Sequence, residues 1–105
     1  MIDYAKMVDT MVARAIKVDD SDRDGVEAKE FALRGAYKAA ELAASALTDA
    51  ARNARELAYF AEDYASDFES LTFAAEAESL NEAAEAMEVK SQTLYEVWAQ
   101  YADQM

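Results

Sequence analysis

Cysteine, histidine and proline are absent from these 105 residues, and glycine occurs only twice. Without Cys or His there are no disulfides, thiolate nucleophiles, zinc fingers or imidazole acid–base pairs, and almost no route to a transition-metal site. Carboxylate, hydroxyl and amine are what remain for chemistry. The missing proline leaves nothing to break a helix, and alanine fills 25 positions, so intrinsic propensity favours helix throughout. No apolar run is long enough to cross a bilayer, and no basic stretch leads into a signal-like segment. The expected compartment is the cytoplasm, of a cell or of an infected host. Basic residues are also scarce, 10 Lys and Arg against 22 Asp and Glu, for a net charge of −12. Such a chain repels phosphates, which argues against direct nucleic-acid binding.

Apolar residues make up 53% of the chain and aromatics 10%, and their regular spacing predicts a folded all-α domain spanning residues 1–105. Met1, Ala5, Val8, Val12 and Ala15, widened by Tyr4 and Met11, form a stripe at helical spacing, giving a first helix from about Ile2 to Val18. It ends in Asp19-Asp20-Ser21-Asp22-Arg23-Asp24-Gly25, whose short polar side chains and glycine favour a turn. Asp24 and Glu27 have the spacing of a capping box that opens a second helix.

From Leu33, apolar or small residues alternate in steps of four and three through Tyr37, Ala40, Ala44, Leu47, Ala51, Ala54, Ala58, Ala61, Ala65 and Phe68. A second such run goes from Phe73 through Ala77, Leu80, Ala84, Met87, Ser91, Leu94, Trp98 and Tyr101 to Met105. Both are heptad patterns, and the five-residue step between them marks a turn near Ser66–Thr72, where Ser66 and Glu69 form a second capping box. The expected architecture is an elongated, coiled-coil-like helical hairpin, with the short N-terminal helix packed at its base against Leu94, Val97, Trp98 and Tyr101. Breaks at Thr48–Asp49 and Ser79–Asn81 would instead give a four-helix bundle. The second helix, of about 42 residues, would span roughly 63 Å and the third roughly 50 Å.

Charge is unevenly distributed. Residues 1–55 carry ten acids and nine bases, whereas residues 56–105 carry twelve acids and only Lys90. Glu56, Glu62, Asp63, Asp67, Glu69, Glu76, Glu78, Glu82, Glu85 and Glu88 follow one another with no Lys or Arg between them. A turn near residue 70 would set Arg52 and Arg55 across from Glu85 and Glu88, and would leave acids facing acids at Glu62, Asp63, Glu76 and Glu78. A surface built only for solubility mixes signs. This one points to a basic partner, drawn in by long-range attraction. Glu78, Glu82 and Glu85 recur every ~5 to 6 Å along a helix, a spacing suited to occupying a phosphate-binding groove. Tyr59 and Phe60 stand among these acids as candidate interface anchors.

The expected function is therefore non-enzymatic: an acidic helical surface that binds a basic protein surface, in its sharpest form a nucleic-acid mimic blocking a nucleic-acid-binding enzyme. Small acidic, cysteine-free phage inhibitors of restriction or CRISPR systems share this charge and size. The residues expected to make the contact are Glu62, Asp63, Asp67, Glu69, Glu76, Glu78, Glu82 and Glu85, with Tyr59 and Phe60. An alternative is a coiled-coil homo-oligomer, such as a homodimer, joined through the alanine seam and Tyr59 and Phe60. A third is a calcium-responsive adaptor. Asp20, Asp22, Asp24 and Gly25 match the opening of an EF-hand calcium loop, but loop positions 8 and 12 hold Glu27 and Phe31, and Val26 and Glu30 come one residue early. Acidic capping of a helix start explains those aspartates without a metal. No cofactor is expected. Catalysis has no support from a nucleophile elbow, a phosphate-binding glycine loop or a Glu-x-x-His pair.

Overall fold

The structure, a computed structural model, describes residues 3–104 and is all-α. Helix α1 covers Tyr4–Ile16, α2 Arg23–Tyr64 and α3 Asp67–Ala102, with no strand among the described residues. The architecture is a helical hairpin with the short α1 packed against it, a three-helix bundle. Met1 and Ile2 of the expected first stripe, and Met105 of the second run, lie outside the described residues. No described helix is long and apolar enough to cross a membrane.

Each helix start follows from a short side chain that takes up an otherwise orphan backbone N–H. Asp3 caps α1 by accepting from the Lys6 N–H at 3.0 Å, so the helix starts at Tyr4 rather than Ile2. It also stops early, at Ile16 rather than Val18, where the Lys17 and Val18 N–H groups both turn back to the Ala15 carbonyl. For α2, Asp24 and Glu27 do not form the expected capping box. Asp22 is the cap, its carboxylate accepting from the Gly25 N–H at 2.7 Å and its carbonyl from Val26 at 3.0 Å. Glu27 instead pairs with Arg23 one turn back, at 3.6 Å. Ser66 caps α3 as its spacing predicts, accepting from the Glu69 N–H at 3.1 Å.

Helix α2 has the expected 42 residues and runs unbroken through Thr48, whose hydroxyl donates to the Ala44 carbonyl at 2.9 Å. Helix α3 runs equally unbroken through Ser79–Asn81, so the four-helix alternative is excluded. The connection between α2 and α3 is only Ala65–Ser66, at the leading edge of the predicted interval. That early turn removes Ala65 and Phe68 from the seam; both are exposed.

The chain divides into two compact units: Met1–Leu42 with Met87–Met105, and Ala43–Ala86. Both long helices contribute to each. The first unit packs α1, the start of α2 and the end of α3. Its core includes Val8, Ala15, Leu33, Ala36, Tyr37, Ala40, Met87 and Leu94. Met11 of α1 lies over Gly35, and Lys90 of α3 pairs with Asp9 of α1. Leu94 is buried, whereas Val97 is left 37% exposed. Tyr101 donates its hydroxyl to Asp20, in the loop after α1, at 2.9 Å.

The second unit is a two-helix hairpin. Leu47 and Leu80 are the large members of its seam, and Ala43, Ala44, Ala51, Ala54, Ala61, Ala77 and Ala84 make up the rest. Alanine allows close backbone approach, and the Ser70 hydroxyl reaches the Ala58 carbonyl across the hairpin at 2.9 Å. Because burial contributes only about 25 cal/mol per Å² of apolar surface, so small a seam stabilises the hairpin weakly for its length.

Candidate protein-docking face

The two units differ in how their charges are satisfied. In the first, Arg23 pairs with Glu27, Lys29 with Asp20, Arg34 with Glu30, Lys38 with Glu41 and Lys90 with Asp9. Residues 43–86 hold ten carboxylates against Arg52 and Arg55, a net charge of −8. Their one ion pair joins Arg52 to Asp49 on the same helix at 3.5 Å. Nine carboxylates therefore have no cationic partner within this unit: Glu56, Glu62, Asp63, Asp67, Glu69, Glu76, Glu78, Glu82 and Glu85. All nine are exposed.

Arg52 and Arg55 do not take the positions expected of them. With Ser70 against Ala58, the hairpin register brings Arg55 beside Ala74 rather than across from Glu85. The displacement follows directly from the early turn. Expecting it near residue 70 shifted every facing pair along α3.

The carboxylates fall into two rows on α3. Residues three, four and seven apart share a helix face, so Glu78, Glu82 and Glu85 line up, and Asp67, Leu71 and Ala74 continue that face toward the turn. Glu69 and Glu76 share a different face. Glu76 and Glu78 are two residues apart, which is roughly 200° around a helix of 3.6 residues per turn. The acids expected to act as one surface thus flank both sides of the seam.

Tyr59 and Phe60 separate in the same way, being roughly 100° apart around α2. Tyr59 joins Arg55, Ala58, Glu62, Ser70 and Ala74 around a shallow cleft of about 280 Å³. It is 71% exposed there. Phe60 stacks on Tyr64 with ring centres 5.8 Å apart, and Leu57 is on the same face one turn back. Both groups leave large apolar side chains in water. The cleft has polar and apolar walls from both helices, and its wall residue Ala74 shares an α3 face with Glu78, so it is the stronger candidate for a contact site.

Most of the acids of the aspartate loop take part in building the fold. Asp20 accepts from Tyr101 and faces Lys29 at 3.8 Å, Asp22 caps α2, and Glu30 is buried against Trp98. Asp24 sits in the first turn of α2, exposed, where a negative charge favours the helix N-terminus. No group of three metal-ligating side chains gathers among the described residues. Asp19 accepts from the Ser21 N–H at 3.0 Å, and that bond to its charged form holds its carboxyl below the usual range. The neighbouring Tyr37 hydroxyl, followed by Glu41, raises Lys38 above the ordinary lysine value.

Sequence reasoning missed Glu30 as a structural carboxylate. It is 7% exposed, accepts from the Trp98 indole N–H at 2.8 Å and faces Arg34 at 3.4 Å. Its spacing four residues before Arg34 was a visible signal, but only the position of Trp98 shows why a charge is kept inside. Trp98 also closes a triangle with Tyr37 and Tyr95, at centroid distances of 5.2 and 5.6 Å.

No protein-family model, curated protein or solved structure gives a significant match to this chain.

Proposed function

We propose that this is a non-enzymatic interaction protein, acting in the cytoplasm of a cell or infected host, whose residue 43–86 hairpin docks on a basic protein surface. The observation that carries the reading is the charge imbalance of that hairpin: nine exposed carboxylates with no ion pair among the described residues, on a unit with two arginines, one already paired. Like charges a turn apart, as at Glu78, Glu82 and Glu85, cost a few tenths of a kcal/mol per pair. That cost is offset when a partner brings cations. Three carboxylates at ~5 to 6 Å intervals also imitate a phosphate row, which favours a nucleic-acid-binding enzyme as the target. Anti-restriction and anti-CRISPR inhibition are the forms that this reading takes.

Capture from host lysate at low and high salt, followed by elution with duplex DNA, tests it. A nucleic-acid-binding protein should be retained at low salt and released by the DNA. Retention that is indifferent to both salt and DNA contradicts mimicry.

A second reading, a homo-oligomeric assembly protein, draws on the exposed Leu57, Phe60 and Tyr64 face. Light scattering across a concentration series decides it, because a strict monomer removes it.

A further inference from the structure

Charge alone does not account for the cleft beside the carboxylate row. Tyr59 and Leu71 are 71% and 70% exposed, and Leu71 shares the α3 face of Ala74, Glu78, Glu82 and Glu85. A pure phosphate imitation has no use for them. Large apolar side chains rimmed by charge are instead the anatomy of a contact that is dry at its centre and polar at its edge.

Electrostatics selects the occupant. A second copy would bring another hairpin of net charge −8 against the first. Nucleic acids and anionic lipid surfaces carry the same sign. A cationic polypeptide is the class of macromolecule attracted by the rim, and only one with apolar side chains also fills the cleft. We propose, resting on the acidic-docking reading above, that the hairpin receives a basic amphipathic helix of a partner protein. An apolar side chain of that helix seats between Ala58, Tyr59, Ser70 and Ala74 in the cleft whose remaining walls are Arg55 and Glu62. Its lysines or arginines lie on the side away from Arg55 and reach Glu62, Glu78 and Glu82. Recognition of this kind lays an amphipathic helix into a groove between two helices.

The test compares two fluorescent peptides of equal length and charge, a helical one with lysine on one face and leucine on the other, and an oligolysine with no apolar residue. The amphipathic peptide should bind at least about tenfold more tightly, the worth of one well-buried apolar side chain. The double variant Tyr59→Ser, Leu71→Ser should erase that margin while leaving oligolysine affinity unchanged. Both side chains are exposed, and circular dichroism verifies that the helices persist. Equal affinities for the two peptides, or a margin that survives the double variant, overturn the amphipathic partner but leave acidic docking standing. If neither peptide binds, or if Glu78→Lys, Glu82→Lys, Glu85→Lys leaves both affinities unchanged, the acidic-docking reading falls and this inference falls with it. Self-association of the wild type that Tyr59→Ser disperses would make a second copy the occupant, and also overturns the proposal.

Discussion

The indole N–H of Trp98 on α3 donates to the carboxylate of Glu30 on α2 at 2.8 Å. The same carboxylate faces Arg34 at 3.4 Å, so one buried acid satisfies the N–H of the only tryptophan and holds a cation of its own helix. Removing it leaves the indole donor without its partner. Glu30→Ala should lower unfolding stability by about 1–2 kcal/mol, the worth of a part-buried hydrogen bond to a carboxylate. Glu30→Gln keeps a carbonyl acceptor and should cost less. Urea denaturation followed by Trp98 emission measures both; equal losses would show that the hydrogen bond is not the source of the effect.

The two glycines should respond in opposite directions to alanine. A Cβ at Gly25 would lie 1.9 Å from the Asp19 carbonyl oxygen, a backbone atom that cannot move aside cheaply. At Gly35 it would meet only the flexible end of Met11, at 3.7 Å. Gly25→Ala should therefore destabilise, whereas Gly35→Ala should stabilise by about 0.5–1 kcal/mol through helix propensity. Thermal melts of the two variants check the contrast.

Acid sensitivity should trace in part to Asp19. Its carboxyl is depressed in the folded state by the Ser21 N–H, so the unfolded chain binds the proton more readily. The stability it contributes is present above the unfolded value of about 3.9 and is lost as pH falls through the lower folded value. Asp19→Asn should flatten that part of the stability profile. A profile with unchanged slope in the variant would remove Asp19 as a contributor.

Function and stability should trade against each other at Glu82. It stands four residues after Glu78 and three before Glu85, repelling both. Glu82→Lys converts two repulsions into two attractions and should raise stability by up to about 1 kcal/mol. Added salt should raise the wild-type melting temperature more than that of the variant, because screening relieves repulsion only where it exists. Binding to a cationic partner should weaken in the same variant. A variant that is both more stable and an equal binder would place the contact elsewhere.

Helix number, the length of α2 and the alanine seam were legible in the sequence because they depend on periodicity, which repeats over many residues. The α2–α3 turn and the α2 cap depend on single residues. Ser66 was readable, but Asp22, three residues before Gly25, supplies the cap expected of Asp24. Placing the turn late misplaced Arg55, because facing residues across a hairpin shift together with its turn. The carboxylates of the candidate face could be read as a run in the sequence. Their division into two rows, and the parting of Tyr59 from Phe60, emerged only once the seam fixed which side of each helix faces inward. The Asp20 loop resembled a cation site because its composition matches one. The partners of Asp20 are Tyr101, far along the chain, and Lys29 on the next helix.

On the reading we propose, the carboxylates of residues 43–86 recruit a cation-bearing surface. Calorimetric titration of the captured partner across a series of NaCl concentrations, with wild type and with Glu78→Lys, Glu82→Lys, Glu85→Lys, tests it most directly. Affinity of the wild type should fall steeply as salt rises, and the reversed variant should bind weakly at every concentration. A wild-type affinity that is flat against salt, or a reversed variant that binds as well, would contradict it.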